Sequence, residues 1–244
     1  DSSTSRGLGD VYKRQADGVR LMSARYQILH DTHYRYASPV SLAQQLVHLW
    51  PRECAWQRCA ERVLEVSPLP TRRRDEQDVF GNPLTRLGLE YQHDELKVST
   101  RVQIEVLPRP APSLCASPPW EQARDSLAYS RQALSPAFLD ASRYRFESPF
   151  VRLKKRFVAF SEPCFAAGVP LLEAVRALMQ KIFSEFTFDA GATQVATPLV
   201  EVLERRRGVC QDFAHLMLAC LRSRGLAARY VSGCLLYTSD AADD

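Results

Sequence analysis

Near Pro108 the hydrophobic period of this chain changes, and no other feature constrains its fold as much. From Arg25 to Leu107 apolar and polar residues alternate, in Arg25-Tyr26-Gln27-Ile28-Leu29-His30, Thr32-His33-Tyr34-Arg35-Tyr36, Arg62-Val63-Leu64-Glu65-Val66 and the run from Lys97 to Val106. A period of two sends successive side chains to opposite faces of a strand. Turn signals at Ser38-Pro39, Ser67-Pro68, Gly81-Asn82-Pro83 and His93-Asp94 separate the runs, so the stretch predicts an antiparallel β domain. Pro108 to Pro119 is proline-rich and reads as a linker or irregular crossing.

Beyond it the period becomes helical. Short helices are predicted over Pro119–Arg131 and Pro149–Phe160. A longer one is predicted over Val169–Phe186, with Pro170 in its first turn and Leu171, Val175, Leu178, Ile182 and Phe186 on one apolar face. Asp189 to Thr193 is a loop. Thr197 then reads as the N-cap and Pro198 as the first residue of a helix that ends near Arg206-Arg207-Gly208. A further helix runs from Val209 to Arg224 and stops at Gly225, and Ala228 to Ser232 reads as a strand. The fold class is therefore α+β.

Composition narrows the function classes. A hydrophobic content of 45% with 25% charged residues suits an ordinary globular protein. The net charge of +4 is mild, and the basic runs Arg72-Arg73-Arg74 and Arg205-Arg206-Arg207 are short, so both read as solvated faces and not as a nucleic-acid surface. No apolar run has the length of a membrane span, and no signal peptide precedes Met22. The cysteines show no CxxC pair and no paired histidine, which argues against zinc. They read as reduced thiols in a cytoplasmic protein.

The two ends have a different origin. Asp10-Val11-Tyr12-Lys13-Arg14-Gln15 and Cys234-Leu235-Leu236-Tyr237-Thr238-Ser239 can be read from opposite strands of one short DNA element, as the transposon ends used in sequencing libraries would give. Residues 1–15 and 234–244 are accordingly expected to be adapter-derived and non-native. The natural protein is then expected to start near Met22 and to continue past Gly233. The expected organisation is a β-rich N-terminal domain over 23–108, a proline-rich linker with short helices over 109–148, and a partial core domain over 149–233.

The chemistry centres on Arg207-Gly208-Val209-Cys210-Gln211-Asp212-Phe213-Ala214-His215-Leu216. Cys210 opens a helix just after a glycine turn. The partial positive charge and free N–H groups there favour a thiolate and can line an oxyanion site. Taken alone, a cysteine at this place could equally be a buried structural thiol. Asp212, about 200° around the helix from Cys210, reads as a local cap. Cys220 reads as core, and Phe186 and Phe188 as packing residues. Arg229 could pair with an acid to fix the last strand.

The motif resembles the transglutaminase-like family, which shares the papain-like cysteine-enzyme arrangement. The resemblance is carried by Phe186-Thr187-Phe188-Asp189, Gly191-Ala192-Thr193, Thr197-Pro198-Leu199, Gly208 through His215, and Leu221 through Gly233. The segment Tyr26–Pro108, with His33-Tyr34-Arg35-Tyr36 and Asp78-Val79-Phe80-Gly81-Asn82, is similar to the β-rich domain that precedes this core in bacterial members. The implied architecture is an antiparallel β-rich domain followed by the helical first half of a papain-like transglutaminase core. The resemblance implies Cys210 as nucleophile, with a following His as base and an Asp to orient it; both are expected beyond the end of this sequence. Of the histidines at 30, 33, 48, 93 and 215, only His215 lies in the Cys210 domain. Five residues at about 100° each place it about 140° from Cys210, so it reads as a core or supporting residue.

Two functions follow as alternatives. One is an enzyme whose full-length parent transfers an acyl group, or hydrolyses an amide, of a protein or peptide substrate through Cys210. It would need no metal or cofactor for that step, and the chain as it stands would be inactive. The other is a non-catalytic protein-binding module on the same fold. Neither nucleic acid nor membrane is expected as a partner.

Overall fold

The computed structural model describes residues 23–109, 112–128, 135–194 and 197–232. The ends expected to be adapter-derived lie outside these residues. The chain divides into two compact units between Ala111 and Pro112.

The first unit contains β1 (Ala24–Val40), β2 (Ala43–Val47), β3 (Gln57–Ser67), β4 (Arg72–Gln77), β5 (Pro83–Leu89) and β6 (His93–Val106). They form two antiparallel three-stranded sheets, β1-β6-β3 and β2-β5-β4. Strand β6 shows the period of two most clearly: Leu96, Val98, Thr100, Val102 and Ile104 are buried, while Lys97, Arg101 and Gln103 are exposed. Leu64, Leu96 and Val98 from one sheet pack with Ala43, Val47, Leu87 and Leu89 from the other, with Tyr36 and Trp50 against them. Each such aliphatic side chain contributes roughly 1.5–3 kcal/mol by leaving water.

Several polar groups in this unit are paired, although His93 Nε2 is buried without a hydrogen-bond partner among the described residues. The Trp50 indole donates to Thr85 Oγ1 at 3.1 Å, and the Thr85 hydroxyl donates to Asp75 Oδ1 at 2.5 Å. At the β4–β5 turn Asp78 accepts from the backbone N–H groups of Phe80 and Asn82, each at 2.8 Å, and from the Asn82 side chain at 2.9 Å. Gly81 takes a φ of 76° there, which the turn requires and a side chain would resist.

Two expected turns are absent. Ser38-Pro39 lies inside β1, so the two alternating runs before it form one strand. Proline is tolerated because β1 is an edge strand and its pairing with β6 breaks register between Arg35 and Val40. His93-Asp94 opens β6 and makes no turn there; the chain reverses just before it, at residues 90–92.

The second unit contains α1 (Trp120–Asp125), α2 (Pro136–Ser142), α3 (Lys155–Ser161), α4 (Leu171–Glu185), β7 (Thr187–Phe188), α5 (Leu199–Arg205), β8 (Arg207–Gly208) and α6 (Cys210–Ser223). Helix α6 is central: Leu216, Ala219 and Cys220 are fully buried and meet Ala174 and Leu178 of α4 and Val202 of α5 in one cluster. Trp120, from the segment expected as linker and short helices, joins that cluster and donates its indole N–H to Ala166 O at 3.0 Å. Arg224 packs over the Trp120 and Phe165 rings and donates to Ser161 Oγ, Val158 O and Glu162 Oε2 at 2.7–2.9 Å.

Three helix expectations change. The first helix is shorter, ending at Asp125, and residues 129–134 are outside the described set. The second starts only at Lys155, because Ser148 and Val151 bridge across a turn. Helix α2 lies in the 109–148 span expected to carry short helices, beyond the one bounded at 119–131; Ser135 caps it by accepting the Phe138 N–H at 3.1 Å, with Pro136 at its first position. Pro198 is itself the N-cap of α5, and Thr197 Oγ1 accepts from Gln194 N at 2.8 Å instead of capping the helix. Among the described residues, Ala228–Ser232 has no strand partner and is not a strand. Among the described residues no helix is long and apolar enough to cross a membrane.

Candidate active site

The turn into α6 is built by local geometry. Arg206 adopts a left-handed conformation with φ of 55° and ends α5. Arg207-Gly208 then pairs as β8 with β7 in parallel, with Thr187 N donating to Arg206 O and Asp189 N to Gly208 O, both at 2.9 Å. Val209 is the extended N-cap, and Cys210 is the first helical residue and is exposed.

Asp212 organises this start. Its Oδ2 accepts the Val209 backbone N–H at 2.8 Å and the Thr193 hydroxyl at 2.6 Å. This is the returning half of a capping box; valine has no side-chain acceptor for the other half. One carboxylate oxygen therefore joins the 189–194 loop to the helix start, and Asp212 is 7% exposed while doing so. A Cβ on Gly208 would lie 2.7 Å from that oxygen and 3.1 Å from Asp212 Cβ, so only glycine fits. The loop is further tied by Asp189, which accepts the Gly191 N–H at 3.0 Å and lies 3.6 Å from the Arg207 guanidinium.

The first intrahelical bond is from Phe213 N to Val209 O, at 3.2 Å. The N–H groups of Cys210, Gln211 and Asp212 precede it, and in an α-helix such groups have no intrahelical acceptor. Behind them, Phe186 is buried edge-on between Phe160 and Phe213, as expected of a packing residue. Phe188 differs from expectation and is largely exposed.

His215 faces elsewhere. Its ring stacks on Phe150 at 5.7 Å and leans on Tyr230 at 5.1 Å. Burial lowers its pKa below the usual imidazole value; the Asp212 charge opposes this and Arg222 assists it. Cys220 is core, and burial pushes its thiol up to about 12. Arg229 lies over the Tyr144 ring at 5.9 Å and pairs with no acid among the described residues. The last described segment is fixed instead by Arg222, which donates to Ala228 O at 2.8 Å and to Phe146 O at 3.1 Å. Among the described residues no three His, Cys, Asp or Glu side chains are grouped to hold a metal.

The structure places Cys210 at a helix start after Gly208 and Asp212 as a local cap, as the sequence predicts for their positions. Sequence reasoning missed the Thr193 hydroxyl, which is distant in sequence; the sole signal was an Asp three residues after an N-cap.

Comparison with known proteins now bears on this arrangement. The profile of the transglutaminase-like superfamily core matches residues 159–242, and that of the bacterial transglutaminase-like N-terminal region matches residues 26–105. The chain belongs to the transglutaminase-like superfamily. An uncharacterized protein of Mycobacterium tuberculosis is 35% identical over 221 residues, covering 86% of this chain and 66% of the relative. One of Mycobacterium leprae is 31% identical, covering 89% and 73%. This transglutaminase-like chain thus spans about two thirds of the length of the M. tuberculosis relative. The crystal structure of a candidate cysteine protease from Cytophaga hutchinsonii superposes with a TM-score of 0.60 at 17% identity, covering 84% of this chain and 66% of the other. At that identity the likeness is one of fold, and the fold is that of the papain-like cysteine enzymes.

Proposed function

We propose that the full-length parent is a thiol-dependent acyl transferase or amide hydrolase acting on a protein or peptide, with Cys210 as nucleophile. The observation that carries this reading is the exposed Cys210 side chain at the first position of α6, where the helix-start N–H groups have no intrahelical acceptor. The thiolate attacks an amide carbonyl, the N–H groups stabilise the oxyanion, the amine departs with a proton, and a thioester remains. An amine or water then releases the acyl group. His215, held between two rings, is not the base. We expect the base and its orienting acid in residues other than those described. The chain alone is therefore inactive. A reducing, cytoplasmic setting fits cysteines 54, 59, 115, 164, 210 and 220, all present as free thiols.

The test is Cys210→Ser in the protein extended to the length of its relatives, assayed for amide hydrolysis and for amine incorporation. A fall of about 10³-fold or more in turnover is expected, as for loss of a nucleophile. Unchanged turnover overturns the assignment. The position of His215, the lone histidine of its unit, favours a second reading as a binding module. A full-length protein that lacks a further histidine and shows no turnover would favour it.

A further inference from the structure

The Arg72-Arg73-Arg74 run, read from sequence as a solvated face, has a different setting in the fold. On the outer face of the β2-β5-β4 sheet Arg74 stands directly opposite Arg86. Like charges in directly opposed cross-strand positions are destabilising. Both guanidiniums converge on one carboxylate, Glu76, with Nε to Oε1 distances of 3.2 and 3.7 Å. Arg72, two residues from Arg74 on the same face, reaches Glu90 at 3.3 Å. Three guanidiniums thus share two carboxylates. Each guanidinium carries five N–H donors, far more than those contacts use, and Arg72, Arg74 and Arg86 side chains are 78%, 79% and 56% exposed.

The shape complements the charge. Gly88 lies between Gln44 and Arg72 in the cross-strand row and has no side chain, which leaves a trough across the sheet. In the adjacent row Leu46, 53% exposed, lies beside Arg86 and Arg74. The resulting concavity has a volume of about 780 Å³. Arg72 and Arg74 are two residues apart on one strand, so their stems rise about 7 Å apart. An extended peptide with carboxylates at alternate positions has the same repeat.

We infer that this face binds an extended acidic peptide segment, with Glu or Asp at alternate positions, in which the carboxylates all face the sheet and pair with Arg72, Arg74 and Arg86. With Glu76 and Glu90 counted against Arg72, Arg74 and Arg86 the face carries one net positive charge, which suits a short peptide better than a nucleic-acid backbone charged at every link.

The inference is tested with the full chain and a fluorescent peptide alternating Glu and Ala, followed by anisotropy. Saturable binding is expected, weakening as salt rises from about 0.05 to about 0.5 M. The same peptide with Gln for Glu is expected not to bind. Arg74→Glu places opposite charges across from each other at Arg86, so the variant is expected to melt no lower than the parent while binding the peptide about tenfold or more weakly. Absence of saturable binding, equal binding of the Gln peptide, or an unchanged affinity in Arg74→Glu overturns the inference. Displacement of the peptide by an oligothymidylate of equal charge overturns it in favour of nucleic acid.

Discussion

Gly208 and Asp212 set the tolerance of the helix start at the residue scale. Gly208→Ala would force a Cβ to within 2.7 Å of a carboxylate that already serves Val209 and Thr193. We expect this change to cost about 1–3 kcal/mol, read as a lower thermal midpoint. His215 gives a pH dependence of known sign. Its folded-state pKa is depressed, so the unfolded chain binds the proton first as pH falls. The contribution of neutral His215 is complete above the ordinary imidazole value of about 6.5 and is lost as pH falls from there through the lower folded value. Thermal melts over this window should show a pH slope that His215→Gln reduces. Cys210 and its glycine were legible in the sequence because they are local. The Thr193 hydroxyl was not, because its partner is set by the β7–β8 pairing.

Elements were legible where one face is buried throughout. Strand β6 alternates without interruption from Leu96 to Ile104, and the apolar stripe of α4 reads at helical spacing. Pro39 misled because a proline signals a turn unless the strand is at an edge and its register is broken, and edge position is not a local property. Thr197 misled for a similar reason: its hydroxyl closes a loop to Gln194. Ala228–Ser232 has strand composition, but a strand needs a neighbour to pair with. Because β6 is the middle strand of its sheet, Leu96→Ala should cost about 2–5 kcal/mol. Urea unfolding of the first unit measures this, and a loss below about 1 kcal/mol would contradict the assigned core.

At the scale of the whole molecule, both units leave large apolar side chains uncovered, Leu69 and Val79 among them in the first. Phe183 is 88% exposed on α4, with Met179 one turn earlier also exposed, and Phe188 and Val231 are exposed elsewhere in the second unit. Apolar side chains of this size in water favour association. Phe183→Lys should therefore reduce binding of an apolar dye and light scattering at high concentration without lowering the thermal midpoint. A lower midpoint would show that Phe183 is packed in solution.

The hydrogen bond from the Trp50 indole to Thr85 also has an optical consequence. Trp50 and Trp56 lie in the first unit and Trp120 in the core of the second, so the chain carries its own fluorescent labels. Trp120→Phe leaves emission that reports the β sheets alone, while the parent reports both units. The difference between the two signals during denaturation separates cooperative unfolding of the whole chain from successive melting of its halves.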